Sequence, residues 1–276
     1  MPGHGDTFDS HLPKERGIIM LFDIRYDTAQ YYDTQPSPFD DIRFYRDHLP
    51  VPNARVLELG CGTGRVLIPL SADCRYICGI DNSEAMLSIC REKLRTAGIP
   101  PEQTGVVLGN ITDFDIGQVF DFITAPFRVM QNLATDAEVD GLFRCIGQHL
   151  APGGMCILNV FRPNRERARM LTEWCRQEER LNYELPVEGG RITRHDRLPR
   201  LQADPLVLFP ELIYRRYAGE QLVEEAVLKF PMRCYYPDEF RQLIIDHGFR
   251  ITGSWGGYAG ENYGEGPELV VAFTDK

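Results

Sequence analysis

The run Glu58-Leu59-Gly60-Cys61-Gly62-Thr63-Gly64-Arg65 limits what this chain can fold into more than any other stretch. It closes a short apolar run at 54–59 (ARVLEL) and leads into a helical pattern expected over 63–71, so three glycines fall at a strand-to-helix turn. In an open α/β sheet that turn lies beyond the carboxyl end of a strand, where ligands bind and a helix N-terminus offers free N–H groups. A second apolar run at 75–80 (RYICGI) ends at Asp81. An acidic side chain thus stands about 20 residues past the first glycine, the separation at which such a residue takes the ribose hydroxyls of a nucleotide-like cofactor.

Strand-like and helix-like patterns keep alternating after Pro50 and Pro52, which predicts a parallel sheet with helices on both faces. A helix capped by Asn82 or Ser83 carries Met86, Leu87, Ile89, Cys90 and Leu94 at helical spacing. Strands are expected at 105–108 and 119–125. An amphipathic helix from Asp136 to Leu150 then precedes the turn APGG and a fifth strand at 154–160. From 163 the pattern changes. A helical piece over 163–176 is followed, within 187–231, by the strand-like runs GRITRHDRL, PLVLFPELIYRRYA and QLVEEAVLKF, with a hairpin turn at 218–220. A helix at 237–247 and strands at 249–255 and 268–274 complete the chain. The expected fold is α/β: a seven-stranded, mostly parallel sheet with an antiparallel insertion after strand five. One domain spans 1–276, with an aromatic cap (1–50), a cofactor-binding core (51–162), a substrate-side insertion (163–235) and a closing helix with two strands (236–276).

The glycine spacing selects among cofactors. A nicotinamide or flavin fingerprint reads G-x-G-x-x-G, whereas this loop reads G-x-G-x-G and has Arg65 at the third position. Glu58 would place negative charge near a pyrophosphate, but it suits a cofactor bearing an ammonium and a sulfonium. Here the sequence resembles the class I S-adenosylmethionine-dependent methyltransferases. ELGCGTGR has the form of their first motif, Asp81 to Leu87 (DNSEAML) that of the second, and HLAPGG at 149–154 that of the turn before their fifth strand. The resemblance runs from about Tyr26 to the C-terminus and implies a Rossmann-like fold. It implies S-adenosyl-L-methionine as cofactor, with S-adenosyl-L-homocysteine as product. By that resemblance Glu58 meets the methionine amino group, and Gly60, Cys61, Gly62 and Gly64 let the methionine part lie on the backbone. Asp81 holds the ribose diol, with Asn82 or Met86 beside the adenine. Asn110 and Ile111 stand where the family often has an aspartate for the adenine amine, Asp113 being the alternative, and Pro126 and Tyr26 complete the site.

Composition narrows the partners. Forty acidic residues against thirty basic ones give a formal charge of −10, the wrong balance for a general nucleic-acid binder. No uncharged apolar stretch is long enough to span a bilayer. The start MPGHGDTFDS lacks the pattern of a secretory signal, so the expectation is a cytoplasmic protein. The eight cysteines include no CxxC pair and no His at ligand spacing, and read as reduced thiols with no metal site.

The methyl acceptor is expected to be a small molecule or short peptide, methylated at nitrogen or oxygen. A neutral amine attacks unaided, whereas a hydroxyl needs a base. The segment APFRVMQNL after the fourth strand, with Arg128, faces the donor. Tyr26, Tyr31 and Tyr32 suit an aromatic lid that excludes water. In the insertion, Arg194, His195, Glu211, Tyr214 and Arg216 can read a substrate, and His195 is the one histidine considered as a base. The catalytic candidates are therefore His195, Tyr31 and Arg128. The tail SWGGYAGENYGEGPELVVAF resembles that of small-molecule and peptide N-methyltransferases, including aminosugar N,N-dimethyltransferases, which points to an amine. Two rivals stay open: a nicotinamide oxidoreductase, and a non-catalytic S-adenosylmethionine-binding sensor or partner subunit.

Overall fold

A computed structural model describes residues 25–34 and 40–275. The remainder of the expected aromatic cap, 1–24 and 35–39, lies outside the described residues. Two short helices, α1 (Ala29–Tyr32) and α2 (Asp41–Asp47), come first. There follow β1 (Arg55–Leu59), α3 (Leu67–Leu70), β2 (Tyr76–Asp81), α4 (Glu84–Thr96), β3 (Thr104–Leu108), β4 (Phe120–Ala125), α5 (Asp136–His149) and β5 (Leu150–Phe161). The insertion consists of α6 (Arg167–Glu173), β6 (Arg176–Val187), β7 (Gly190–Gln202), β8 (Val207–Ala218), β9 (Gln221–Lys229) and β10 (Met232–Arg233). The chain then returns through α7 (Pro237–Asp246), β11 (Arg250–Trp255) and β12 (Glu268–Thr274).

Seven strands form one sheet in the order β11-β12-β5-β4-β1-β2-β3, and only β12 runs against its neighbours. The central strands are apolar on both faces because helices cover both. Val56, Leu57, Leu59, Phe122, Ile123 and Ala125 are fully buried. One helical layer packs Phe143, Ile146, Phe240 and Ile244 against the sheet, and the other packs Leu67, Leu87, Cys90 and Phe44. Strand order reverses between β1 and β4, which opens a crevice at their carboxyl ends. Helix ends are fixed locally: the Ser83 hydroxyl accepts the Met86 N–H at the start of α4, and Thr135 with Glu138 forms a reciprocal cap on α5.

The expected architecture is present, with differences of detail that include β5 starting at Leu150, before the expected 154, and the short added strand β10. The helix expected over 63–71 is confined to Leu67–Leu70 and a 3₁₀ turn at Ser71–Asp73. Gly60, Gly62 and Gly64 adopt φ of +71°, +52° and +82°, which holds the loop out of the helix. The helix expected over 163–176 spans only Arg167–Glu173. Beyond it lies a twelve-residue strand, β6, that the sequence reading lacks, because its side chains are mostly exposed and show no apolar alternation. In the second sheet β6 pairs β7 and β7 pairs β8; β9 and β10 follow one another along the far edge of β8. The hairpin at 218–220 joins β8 to β9, where Ala218 pairs with Gln221. All eight cysteines are free thiols. No helix among the described residues is long and apolar enough to cross a membrane.

Candidate functional site

The crevice between β1 and β4 holds a cavity of about 230 Å³. Glu58 lies on its floor, carried by β1 between Gly79 of β2 and Thr124 of β4. Its side chain is buried, and Oε2 has no hydrogen-bond partner among the described residues. Burial pushes its carboxyl well above the ordinary range, and the nearby Arg65 guanidinium opposes that shift. A carboxylate in this position is costly unless something cationic meets it. The cavity supplies the space for such a group.

The glycine loop curls over the end of β2, where the N–H groups of Gly60 and Cys61 donate to the Ile80 carbonyl at 2.7 and 3.1 Å. A Cβ on Gly60 would stand 2.6 Å from the Val129 methyls, so the close approach requires glycine. Asp81 is held by two backbone donors: Gly62 N–H to Oδ2 and Ser83 N–H to Oδ1, both at 2.9 Å. Asp81 also lines the cavity, where a carboxylate suits a vicinal diol. Asn82 and Met86 line the same wall. Opposite stand Asn110, Ile111 and Pro126, so these sequence candidates converge on one space. Asn110 Oδ1 already accepts the Thr112 N–H at 3.0 Å and keeps one lone pair for a ligand. The alternative Asp113 is exposed, lies near Arg144 at 3.6 Å and does not line the cavity.

The N-terminal segment closes the site through one of the three expected tyrosines, Tyr32, and through Arg25, which the sequence reading lacks. Tyr32 and Arg25 line the cavity. Tyr26 is 76% exposed and does not. Tyr31, a catalytic candidate from sequence, points to the insertion instead and stacks on Tyr214, with ring centroids 5.2 Å apart and planes 8° apart. The segment is tied to the core by buried Thr63, whose hydroxyl donates to Asp33 at 2.8 Å, and by an ion pair of Asp33 with Lys93 at 2.6 Å. Arg65, recognised in the sequence only as the missing glycine, reaches from the loop to α2 and grips the buried Asp41 through both terminal nitrogens.

Past β4 the backbone is strained. Phe127 and Arg128 take φ of +56° and +67°, in the left-handed region that side chains disfavour. A buried group holds them there. The Arg128 N–H donates to Asn159 Oδ1 at 3.2 Å, its guanidinium pairs with buried Glu268, and Asn159 Nδ2 donates to Glu268 at 3.0 Å. Arg128 is therefore fixed by partners on β5 and β12. Gln131 extends the bracing: its Oε1 accepts the Phe161 N–H, and its Nε2 donates to the Arg233 carbonyl at 2.7 Å.

A second cavity, about 430 Å³, adjoins the first and shares Arg25, Tyr32, Phe127 and Asn132 with it. Its far wall is the inner face of the insertion sheet, including Arg194, Asp196, Leu212 and Tyr214. His195 lies between two of these residues on β7 and belongs to the opposite face, beside Ile213 of β8. It lines neither cavity, so the base expected at this position is not in place.

Residues 56–154 match a family model described as a methyltransferase domain. The dTDP-4-amino-2,3,4,6-tetradeoxy-D-glucose N,N-dimethyltransferase of Saccharopolyspora spinosa is 30% identical over 117 residues, 42% of this chain and 44% of that protein. A carboxy-S-adenosyl-L-methionine synthase of Shewanella sp. is 32% identical over 120 residues, 42% of this chain and 47% of its own length. The matches thus span less than half the length of these curated relatives. Among solved structures, the CcbJ methyltransferase of Streptomyces caelestis superposes with a TM-score of 0.72 at 21% identity, covering 92% of this chain and 98% of that one. At that identity the likeness is one of fold.

Proposed function

We propose, from the premise that this chain carries a class I S-adenosylmethionine-dependent methyltransferase domain, that it transfers a methyl group from S-adenosylmethionine to an amine nitrogen of a small molecule. The observation that carries the reading is Glu58, a buried acid whose Oε2 has no donor among the described residues, in a cavity that Asp81 also lines. The two acids suit the two ends of the cofactor: an α-ammonium group and a ribose diol. When bound, the cofactor supplies a sulfonium-borne methyl group for in-line displacement.

The chain's own residues bind, orient and exclude water. Glu58 holds the ammonium, the glycine loop lets the backbone approach, and Asn82, Met86, Asn110 and Ile111 form the base pocket. Tyr32 and Phe127, in edge-to-face contact at 6.5 Å, cover the junction of the two cavities. Among the described residues, the side chains shared by both cavities include no carboxylate and no imidazole. Burial also pushes the Tyr32 phenol above its ordinary range, away from service as a base. An acceptor that attacks as a neutral amine needs neither, which supports nitrogen over oxygen. The name of the Saccharopolyspora relative, an N,N-dimethyltransferase, supports the same reading. We further propose that residues 1–276 act as one domain, with the insertion on the acceptor side of the core.

Calorimetry with S-adenosylhomocysteine tests the cofactor, and its release over a panel of small amines tests catalysis. Micromolar binding that is lost in Asp81→Ala is the expected result. Binding of NADH in its place sinks the proposal, and cofactor binding without turnover on any amine or hydroxylated acceptor favours the sensor.

A further inference from the structure

We propose that the methyl acceptor carries an oxyanion, a carboxylate or a phosphate, held by arginines of the insertion while its nucleophile faces the cofactor cavity. This rests on the methyl-transfer reading above. The chain as a whole has forty acidic residues against thirty basic ones. The second cavity runs against that balance: among the described residues five arginines line it, Arg25, Arg128, Arg176, Arg194 and Arg197, with Asp196 as the one carboxylate.

Strand pairing explains how these residues meet. On β7 and β8, Arg194 pairs with Tyr214, and Asp196 with Leu212, so two successive rows of one sheet face point into the cavity. Arg176 enters from the start of β6 and pairs with Asp196. Arg25 arrives from the N-terminal segment and acts, with Arg194, on the Tyr214 hydroxyl, both opposing the rise that burial imposes on it. Arg128 is committed to Glu268, and Arg197 to Glu211 at 2.7 Å. Around the arginines lie Trp174, Leu208, Phe230 and Met232. Guanidinium groups fit carboxylate and phosphate through paired N–H donors, and an apolar wall lowers the local dielectric in which they act. The ligand that matches is an amine with an apolar body and one oxyanion at its far end.

Calorimetry of the full chain with four small probes tests this: phenyl phosphate, benzoate, benzyl alcohol and benzylamine. Phenyl phosphate or benzoate should bind, with the better of the two identifying the oxyanion, while the neutral and cationic probes should not. Arg194→Gln should weaken that binding about tenfold or more. Asp196→Asn removes the one lining carboxylate and releases Arg176, so it should tighten binding. A folding defect would not produce opposite signs in the two variants. Equal or tighter binding of benzyl alcohol or benzylamine overturns the proposal, as does the absence of any change in both variants. S-adenosylhomocysteine is titrated in parallel. If it binds and neither anion does, the oxyanion proposal alone falls; if the anions bind and it does not, methyl transfer falls and the anion site stands.

Discussion

Arg65 and Asp41 join the glycine loop to α2 through two parallel contacts of 2.6 and 2.8 Å, with the Asp41 side chain wholly buried and the Arg65 side chain 22% exposed. Removing the carboxylate leaves a guanidinium in a closed site without its partner. Breaking such a pair typically costs about 3 to 5 kcal/mol, more than any surface ion pair contributes. Asp41→Ala should lose stability on that scale in urea unfolding. The paired replacement Asp41→Leu with Arg65→Met, which leaves no buried charge, should recover most of it.

Glu58 makes stability depend on pH in a direction opposite to that of a salt-bridged acid. Its folded-state pKa is raised above the ordinary 4.5 by burial, so the stability it confers is complete below that value and is lost as pH rises through the folded value. Thermal melts of the ligand-free protein should therefore show a decline with rising pH that Glu58→Gln removes. The same variant should bind S-adenosylhomocysteine roughly 10- to 100-fold less tightly, the range for a hydrogen bond to a charged group.

Gly60 and Gly62 separate conformational cost from crowding. Both have positive φ, for which a side chain costs about 1 to 2 kcal/mol. At Gly60 a Cβ also meets the β-branched Val129 at 2.6 Å, whereas at Gly62 it meets the flexible end of Met86 at 3.1 Å. Gly60→Ala should thus be the more destabilising of the two and should lose cofactor binding. Gly62→Ala should retain part of it, as calorimetry will read directly.

His195→Ala should leave cofactor affinity and turnover within about twofold of the unmodified protein, as for a substitution remote from the chemistry. Tyr32→Ala removes a wall shared by both cavities and should slow turnover by more than tenfold through loss of positioning. Steady-state kinetics with a single amine acceptor compares the two. An equal loss in both would return the insertion histidine to the site.

The lining of the first cavity was legible because its parts are close in sequence: the loop at 58–65, Asp81, and the strand ends that carry Asn110 and Pro126. The lining of the second cavity was not. Tyr31 and Tyr32 are neighbours on one helical turn and point about 100° apart, so the choice between them depends on what packs against the helix. His195 and Arg194 are likewise neighbours on a strand, and nothing local says which face of the insertion meets the core. Strand β6 escaped notice because its partner and not its own pattern defines it. The buried acid that fixes Arg128, Glu268, lies 140 residues away along the chain.

Arg25 and Tyr32 belong to a single short segment pinned to the core by Thr63 and Lys93 contacts to Asp33, and they border both cavities. The two cavities therefore share one wall. Under the proposed methyl transfer, binding across such a wall should be ordered, with the donor first and S-adenosylhomocysteine leaving last. Product inhibition that is competitive for S-adenosylhomocysteine against the donor, and not for the methylated amine, is the kinetic signature of that order.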